Sequence, residues 1–470
     1  MSELLFVLKK SPFLFLLLLA TTTSLAAQEA NEKLVWPGFR GPNGNGTSPT
    51  AKPPTTWSET ENVAWKQKIP GRGSSSPVVV GNRVFITAAA PADPNAEVPK
   101  VLNREELTKK FDADGNGQLS RTEVAKARAF RMEQRKAAMQ KQKFVVLCYD
   151  RTSGDPVWEE TANEAMPSEG HHSDHGYASA SPVTDGEFLY VNFGSYGLFC
   201  YDLQGNLKWK RDDLGTMTTR GGFGQGSSIT IHENMLILPW DHEGQSRIEA
   251  INRDNGDTIW KQMRDEPSSW STPLVVEIDG RKQIILSGQN YSRGYDFKSG
   301  DEIWKASGLS QRPVACPVVF ENTGFFSSFR GGAVLQAIPL TQKGDVSQNG
   351  IAWSINQQTS DVPSLLLSEN RLFFVGGNKG IVSCVNAETG EPFFSPQRLS
   401  LNGVYSSPVA ANGNVYVTGR EGKTVVIGDA VTFGVVSTND IGEPVDATLA
   451  LANEEIFIRG KDHLFCVRNQ

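Results

Sequence analysis

The amino-acid sequence predicts an all-β protein, an eight-bladed β-propeller, and three observations lead to this fold class. Short apolar strands begin at eight places, each after a small residue followed by proline or a substitute for it. Most of these starts are separated by about 45 residues, a period typical of repeat architectures. Each repeat has room for four short strands rich in aromatic and β-branched residues, and radial closure of such sheets hides their edges. The eight starts are Ser76-Pro77, Ser181-Pro182, Ser227-Ser228, Thr272-Pro273, Cys316-Pro317, Val362-Pro363, Ser407-Pro408 and Ala447-Thr448.

A recurring phrase closes five of the repeats. Asp or Asn opens a turn, Gly follows within it, and an aromatic residue stands in the next strand. Asp and Asn bond their own backbone in such turns, and Gly adopts the positive φ that the turn requires. We expect the aromatic ring to pack between neighbouring sheets. The phrase occupies residues 150–158, 202–209, 252–260, 296–304 and 386–394.

The two ends of the repeat region complement each other. Residues 62–65 read as the last strand of a blade but precede the first repeat, whereas residues 455–467 supply strands with no aromatic closing strand after them. The N-terminal strand is therefore predicted to complete the last blade. We expect one closed propeller over residues 57–470, preceded by an extension over residues 28–56.

Composition and charge exclude some classes of partner. The chain has 470 residues, 39% of them hydrophobic, and a formal net charge of −6. Because no basic run lies outside residues 90–142, nucleic acid is not an expected partner.

The first 27 residues predict a signal peptide. Lys9 and Lys10 precede an apolar run over residues 13–20, and small residues at 24–27 suit cleavage after Ala26 or Ala27. The run is too short to span a bilayer, and no other stretch is predicted to cross one. We expect a periplasmic or secreted protein without a transmembrane segment after cleavage.

The five cysteines are predicted to be free and buried. Cys148, Cys200, Cys384 and Cys466 hold the same strand position in four different repeats, where the blade spacing keeps them apart. Cys316 stands at a strand start where other repeats carry Ser. We expect these thiols to act as small hydrophobic residues.

The first interval between strand starts is more than twice as long as the others and contains an inserted segment, residues 90–142, in blade 1. Its centre resembles the calcium loop of the EF-hand family. Gly117 permits the sharp turn of that loop, and Leu119 is the apolar residue expected after it. The resemblance implies a Ca²⁺ site whose ligands are Asp112, Asp114, Asn116, the backbone carbonyl of Gln118, Ser120 and the bidentate Glu123.

Helices are predicted on both sides of this loop, from 104 to 111 and from 121 to about 142, where Ala, Lys, Arg and Gln predominate. No second loop of this kind is found, although EF-hands usually pair. A single hand suits a structural role better than signalling. The alternative interpretation is an acidic loop that binds nothing.

The repeat phrase as a whole resembles the pyrroloquinoline-quinone (PQQ) repeat family of eight-bladed propellers over residues 57–470. This family includes both quinoprotein dehydrogenases and cofactor-free scaffolds, so the resemblance implies fold more than function. The segment 36–46 is also similar to the leader of exported propellers of this type. Quinoprotein alcohol dehydrogenases cover their quinone with a disulfide between adjacent cysteines, which this sequence lacks. PQQ is therefore not an expected cofactor.

Blade order places two kinds of loop on one face of the propeller, and the insertion belongs there too. Such a face commonly binds ligands near the central channel. The loops before first strands are 171–175, 219–222, 268–270, 311–312 and 404–405, and those between second and third strands are 240–243, 289–291, 329–330, 378–379 and 420–421.

Three groups on this face carry candidate chemistry. Arg220, Arg312 and Arg330 match an anionic ligand, because guanidinium forks pair with carboxylates and phosphates. Asp241 and His242 match a general base and its orienting partner, or a turn with satisfied side chains. The third group matches a transition-metal site or a polar loop without metal, and consists of His171, His172, Asp174 and His175.

Taken together, the sequence predicts an exported, calcium-binding propeller that acts as a binding or scaffold protein, with an unknown protein or a small anionic ligand as its partner. The alternative is a quinoprotein or metal-dependent oxidoreductase with its site on the loop face. No catalytic residue is predicted, and the sequence favours a non-enzymatic role without deciding the question.

Overall fold

The computed structural model describes residues 34–470, and these residues form eight sheets, each with four antiparallel strands, arranged as the blades of a propeller. The predicted eight-bladed fold is confirmed. The predicted signal peptide, residues 1–27, lies outside the described residues. Within residues 34–470, no helix combines the length and apolarity needed to cross a membrane.

The strands follow the predicted repeat along the chain. Three N-terminal strands come first, namely β1 (Leu34–Trp36), β2 (Thr47–Ser48) and β3 (Val63–Lys68). Blade 1 contains β4 (Val78–Val80), β5 (Arg83–Pro91), β6 (Gln142–Asp150) and β7 (Pro156–Ala165). Blade 2 contains β8 (Val183–Thr184), β9 (Phe188–Asn192), β10 (Leu198–Asp202) and β11 (Leu207–Arg211). Blade 3 contains β12 (Thr230–His232), β13 (Met235–Trp240), β14 (Ser246–Asn252) and β15 (Thr258–Arg264).

The remaining blades continue the same order. Blade 4 contains β16 (Leu274–Ile278), β17 (Arg281–Leu286), β18 (Ser292–Asp296) and β19 (Glu302–Ala306). Blade 5 contains β20 (Val318–Phe320), β21 (Thr323–Ser328), β22 (Val334–Pro339) and β24 (Trp353–Ile355). The short β23 (Gly344–Asp345), between β22 and β24 in the chain, pairs in parallel with β19 at the edge of blade 4. Blade 6 contains β25 (Leu366–Ser368), β26 (Arg371–Gly376), β27 (Ile381–Asn386) and β28 (Pro392–Arg398). Blade 7 contains β29 (Val409–Ala411), β30 (Asn414–Thr418), β31 (Lys423–Gly428) and β32 (Val435–Asp440), and blade 8 contains β33 (Ala450–Ala452), β34 (Glu455–Arg459) and β35 (His463–Arg468).

The N-terminal strand completes blade 8, as the sequence predicts. β3 pairs antiparallel with β35, so that Trp65 lies opposite Cys466 and Lys66 opposite Phe465. The sheet order β3-β35-β34-β33 puts the N-terminal strand at the outer edge. The two ends of the propeller are thus held together by backbone hydrogen bonds, which closes the ring.

Six tryptophans in the outer strands fasten one blade to the next. The indole of Trp158 donates to the carbonyl of Leu203 in blade 2 at 3.1 Å, and its ring covers Gly205 in the same turn. Trp65, Trp209, Trp260 and Trp353 make the equivalent bond. Trp304 differs, because its indole donates to Gln283 of its own blade at 3.0 Å while its ring packs on Phe326 of blade 5.

Residues at the inner strand starts form a second set of links, here called the hydroxyl ring. In seven of the eight steps the backbone N–H of one member donates to the side chain of the next member, over 2.8–3.3 Å. The ring consists of Ser76, Ser181, Ser228, Thr272, Cys316, Ser364, Ser407 and Thr448. In blade 6 the ring member is Ser364, two residues after Val362, where the strand start was predicted. The ring requires a side-chain acceptor at this place, not a proline.

The N-terminal segment over residues 34–57 runs beneath the hydroxyl ring and blocks the channel. β1 pairs with β4 of blade 1, and β2 pairs in parallel with β29 of blade 7. Between these strands the guanidinium of Arg40 donates to the carbonyls of Leu365 and Pro408, which directly follow two ring members. The loop face therefore opens onto a closed-ended channel.

Two helices lie between β5 and β6, namely α1 (Arg104–Phe111) and α2 (Arg121–Ala137). Each begins with a capping box, in which Asn103 and Glu106, or Ser120 and Glu123, exchange side-chain and backbone hydrogen bonds. α2 ends at Ala137 rather than near 142, because Gln142 already begins β6. The edge-to-face contact of Phe111 with Phe130, at 5.5 Å between ring centroids, joins the two helices.

Candidate functional site

A cavity of about 240 Å³ lies at the channel mouth on the loop face. Phe39 of the N-terminal segment lies at its inner end, and seven members of the hydroxyl ring line its wall. The two kinds of loop that were predicted to share a face do meet here. Loops before first strands contribute Phe223, Trp270 and Arg312, and a loop between second and third strands contributes Arg330.

The wall of this cavity is rich in hydrogen-bond donors. Six hydroxyl oxygens of the ring already accept a backbone N–H from the preceding member. A hydroxyl group also has a proton to donate, and within residues 34–470 none of these six protons goes to a protein acceptor. The wall can therefore donate hydrogen bonds to a ligand that brings acceptors.

Arginines occupy the side of the mouth formed by blades 3 to 5. Arg330 donates to Asp361 at 2.8 Å. Arg312 forms no ion pair in the described part of the chain, and its guanidinium lies over the ring of Phe223 at 5.4 Å. Burial lowers the pKa of Arg312, and the charges of Arg330 and Arg220 lower it further, with Asp361 opposing. Arg312 is thus a guanidinium held among like charges without a carboxylate of its own.

The opposite side of the mouth carries carboxylates whose charge is largely compensated. Arg420 makes a bidentate pair with Asp446, at 2.7 and 3.1 Å, and also reaches Asp174 at 3.1 Å. The hydroxyl of Tyr405 donates to Asp174 at 3.2 Å. Burial acts to raise the pKa of Asp174, but the charge of Arg420, the nearby His172 and the hydrogen bond from Tyr405 outweigh it, and the net shift is downward. An anion is therefore better accommodated on the side of Arg312.

Three residues of the candidate metal group, His172, Asp174 and His175, line this mouth. The rings of His172 and His175 are stacked, with 5.9 Å between their centroids. The Nδ1 atom of His171 contacts the carbonyl of His172 at 2.7 Å, and that of His175 contacts Ser179 at 3.1 Å. No group of three or more His, Cys, Asp and Glu side chains in residues 34–470 is already arranged to hold a metal ion, and this applies both to the histidines and to the predicted calcium ligands. Both interpretations of this group, a transition-metal site and a polar loop without metal, therefore stay predictions.

Asp241 and His242 are adjacent but do not interact as a base and its orienting group. Asp241 is buried and pairs with Arg264 at 2.8 and 3.1 Å. The Nδ1 atom of His242 instead accepts backbone N–H bonds from Thr218 and Gly244. Burial lowers the pKa of His242. The satisfied turn, the other interpretation of this pair, describes what the structure shows.

The loop between α1 and α2 is drawn together by its own side chains. The two carboxylate oxygens of Asp112 accept the N–H groups of Gly115 and Gly117 at 2.9 and 2.7 Å. Glu123 accepts from Ala113 at 2.8 Å, so the last predicted ligand reaches back to the start of the loop. The hydrogen bond from Ala113 and those from Ser120 lower the pKa of Glu123.

The other predicted ligands also lie in this exposed loop. Asp114 accepts hydrogen bonds from the backbone and side chain of Asn116, and the side-chain oxygen of Asn116 accepts from Gln118 at 2.8 Å. Each carboxylate oxygen retains a lone pair, and a hard cation such as Ca²⁺ prefers oxygen ligands of these kinds. Ca²⁺ binding itself stays a prediction.

The fold and the cavity together define an eight-bladed propeller with a cavity at one end of its channel. The family model described as "Outer membrane protein assembly factor BamB" matches residues 54–235, 142–396 and 246–470. The chain belongs to this PQQ-repeat propeller family.

Two solved structures illustrate the likeness in fold. BamB from Moraxella catarrhalis is 15% identical, with a TM-score of 0.50 over 69% of this chain and 88% of that chain. Quinohemoprotein alcohol dehydrogenase from Comamonas testosteroni is 8% identical, with a TM-score of 0.60 over 95% of this chain and 82% of that chain. No functionally curated protein matches the sequence significantly. At these identities the likeness concerns the fold alone.

Proposed function

We propose that this protein is an exported, calcium-binding scaffold or binding protein whose channel mouth holds a small anionic ligand or an anionic group of a partner protein. The observation that carries the proposal is Arg312, a half-buried guanidinium with no carboxylate partner among the described residues, on a cavity whose wall offers hydroxyl donors.

An anion offsets the electrostatic cost of this arrangement. Arg312 is held near Arg330 and Arg220, and partly buried like charges are unfavourable unless a counter-charge approaches. A carboxylate or phosphate accepts two parallel hydrogen bonds from a guanidinium. Its remaining oxygens can accept the free protons of the hydroxyl ring. The aromatic rings of Phe223 and Trp270 suit an apolar part of the same ligand.

Isothermal titration with citrate and with inorganic phosphate tests this site. We expect the wild type to bind at least one of these probes, and Arg312→Gln to weaken that binding about tenfold, since a charge-assisted hydrogen bond contributes about 1.5–3 kcal/mol. Arg281→Gln is the matched control, because Arg281 pairs with Asp296 away from the cavity. An equal loss in both variants, or no binding to the wild type, contradicts the proposed site.

We also propose that the loop between α1 and α2 binds one Ca²⁺ and orders the insertion. Glu123→Gln should weaken calcium binding strongly, because Glu123 is expected to supply two of the ligand oxygens. Glu133→Gln, in the same helix but outside the loop, is the control. Calorimetry that shows equal calcium affinity for Glu123→Gln and the wild type refutes the assignment.

Membership in a family described as an assembly factor supports a scaffold role, with another protein as the partner at the loop face. The predicted signal peptide supports export to the periplasm or beyond. Mass spectrometry of the mature protein checks the latter, because cleavage after Ala26 or Ala27 fixes its N-terminus. A mature chain that still begins at Met1 contradicts export by this signal.

The oxidoreductase alternative rests on the likeness in fold to a quinohemoprotein and on the aromatic lining of the cavity. Titration with PQQ and calcium distinguishes the two functions. A bound-cofactor spectrum with dye reduction by alcohols or sugars favours the enzyme. Their absence leaves the binding function as the better proposal.

A further inference from the structure

A groove of about 1670 Å³ separates the insertion from the loop face of the propeller. α2 forms one wall, and the loops over residues 166–171 and 218–222 form the other. The groove lies outside the channel-mouth cavity, although both open on the same face. Gly117 to Leu119 of the proposed calcium loop line one part of it.

The groove is basic, since its lining has five arginines and lysines but only two acidic residues, Glu133 and Glu169. Five lining residues are positively charged, and none forms an ion pair within residues 34–470. The Nε atom of Arg131 is buried without a hydrogen-bond partner. Of the two acidic lining residues, Glu169 is engaged by the backbone and hydroxyl of Thr219 at 2.8 and 2.7 Å. The five cations are Arg104, Arg128, Arg131, Arg135 and Lys136.

Apolar side chains lie between these charges and are open to solvent. Val124 and Met132 on α2 are 49% and 63% exposed, and Met166 on the opposite wall is 59% exposed. Val124, Arg128, Arg131 and Met132 recur at helical spacing, so they lie on one face of α2. Methionine adapts to irregular partner surfaces and is common where proteins bind segments of other chains.

We propose that this groove binds an acidic amphipathic segment of a partner protein, with its carboxylates on the arginines of α2 and its apolar side chains on Val124, Met132 and Met166. Charge complementarity selects an acidic partner. A bilayer surface is a poorer match, because the groove is walled on both sides and a flat surface cannot enter it. A chain segment can, and α2, with 17 residues, is long enough to line a helical one.

Fluorescence anisotropy with a labelled peptide tests the proposal. The probe is an amphipathic peptide of 17 residues, the length of α2, with glutamates on one face and leucines on the other. A second peptide carries lysines in place of the glutamates. We expect the protein, with calcium present, to bind the acidic peptide and not the basic one, and binding to weaken as salt is raised.

Variants on both walls of the groove distinguish a loss of peptide binding from a loss of folding. Arg128→Glu with Arg131→Glu should weaken binding about tenfold or more, whereas the matched reversal Lys109→Glu with Lys126→Glu, outside the groove, should change it less than about twofold. Met166→Ser lies outside the helices and should weaken binding about fivefold through lost apolar contact. Unchanged thermal melts of the propeller show that the variants fold.

Three outcomes overturn the proposal. One is equal binding of the acidic and basic peptides. Another is binding to phosphatidylserine vesicles but not to the acidic peptide. The third is self-association in sedimentation experiments that the Arg128→Glu and Arg131→Glu changes abolish, since the occupant is then a second copy. Calorimetry of calcium and citrate on the same samples shows separately whether the proposed calcium loop and channel-mouth site function.

Discussion

Arg40 donates a hydrogen bond of 2.7 Å to the carbonyl oxygen of Pro408, although the two residues are 368 positions apart. Arg40 is 2% exposed, and the same guanidinium also donates to Leu365 and to Asn45. A buried guanidinium usually pairs with a carboxylate, but that of Arg40 has only backbone carbonyls as acceptors. Burial lowers the pKa of Arg40 to about 10. This guanidinium ties the N-terminal segment to blades 6 and 7 and so closes the channel below the hydroxyl ring.

Replacing this guanidinium should destabilise the propeller. Arg40→Gln leaves buried carbonyls without donors, and we expect the free energy of unfolding to fall by about 3 kcal/mol. Lys52→Gln, at an exposed position of the same segment, is the control and should change stability by less than about 0.5 kcal/mol. Denaturant unfolding measures both. Equal midpoints for the two variants contradict a structural role for Arg40.

The repeat, the ring closure and the free cysteines were predictable because each depends on a pattern that recurs along the chain. The channel-blocking segment was not, since residues 36–46 show no periodicity and Arg40 bonds backbone carbonyls, which every residue has. The pair of Asp241 with Arg264 was not predictable either. His242 is the neighbour of Asp241 in the sequence, whereas Arg264 is 23 positions away. The ring member of blade 6 is Ser364, two residues after the predicted start at Val362. The prediction follows proline as the sequence marker, whereas the ring needs a side-chain acceptor.

The turn glycine that packs against the indole of Trp65 provides a test of blade docking. Gly154 has a φ of 80°, and a Cβ there would lie 2.5 Å from the ring of Trp65. Gly154→Ala should therefore lower the free energy of unfolding by more than the backbone cost alone, by about 3 kcal/mol. Gly413→Ala is the matched control, because Gly413 has a φ of 73° with open space at its Cβ position.

Thermal or denaturant unfolding distinguishes the two glycine variants. Gly413→Ala should cost only about 1–2 kcal/mol, the penalty for a side chain in the left-handed region. A loss for Gly154→Ala no larger than that for Gly413→Ala would show that the contact with Trp65 contributes little to the ring.

The buried pair of Asp241 with Arg264 should be far more sensitive than its neighbour His242. Asp241→Asn leaves a guanidinium buried without its counter-charge, and we expect the unfolding free energy to fall by about 3–5 kcal/mol. His242→Gln keeps a hydrogen-bonding side chain in the turn and should cost about 1 kcal/mol. Denaturant unfolding of both variants makes the comparison. A larger loss for His242→Gln than for Asp241→Asn contradicts it.

The pH dependence of calcium binding follows from Glu123. Hydrogen bonds from Ala113 and Ser120 lower its pKa, so the carboxylate stays charged when the pH falls below the usual value for Glu. A carboxylate whose pKa is lower in the folded than in the unfolded state makes its full contribution to stability above the unfolded-state pKa. That contribution is lost as the pH falls through the folded-state pKa. We expect calcium affinity at pH 5 to stay within about threefold of that at pH 7. Calorimetry at both values checks this, and a steep loss between pH 7 and pH 5 contradicts it.

The five cysteines should react with thiol reagents only after unfolding. All five are free and buried, and burial raises the pKa of Cys148, Cys200, Cys384 and Cys466 to about 12. At pH 8 only about one thiol in ten thousand at such a position is ionised, and the thiolate is the reactive form. Ellman's reagent should thus titrate none of these four in the native protein and all five cysteines in denaturant without reductant. A total of three in denaturant would reveal a disulfide, and rapid reaction of the native protein would show that the third strands of the blades open far more readily than their packing implies.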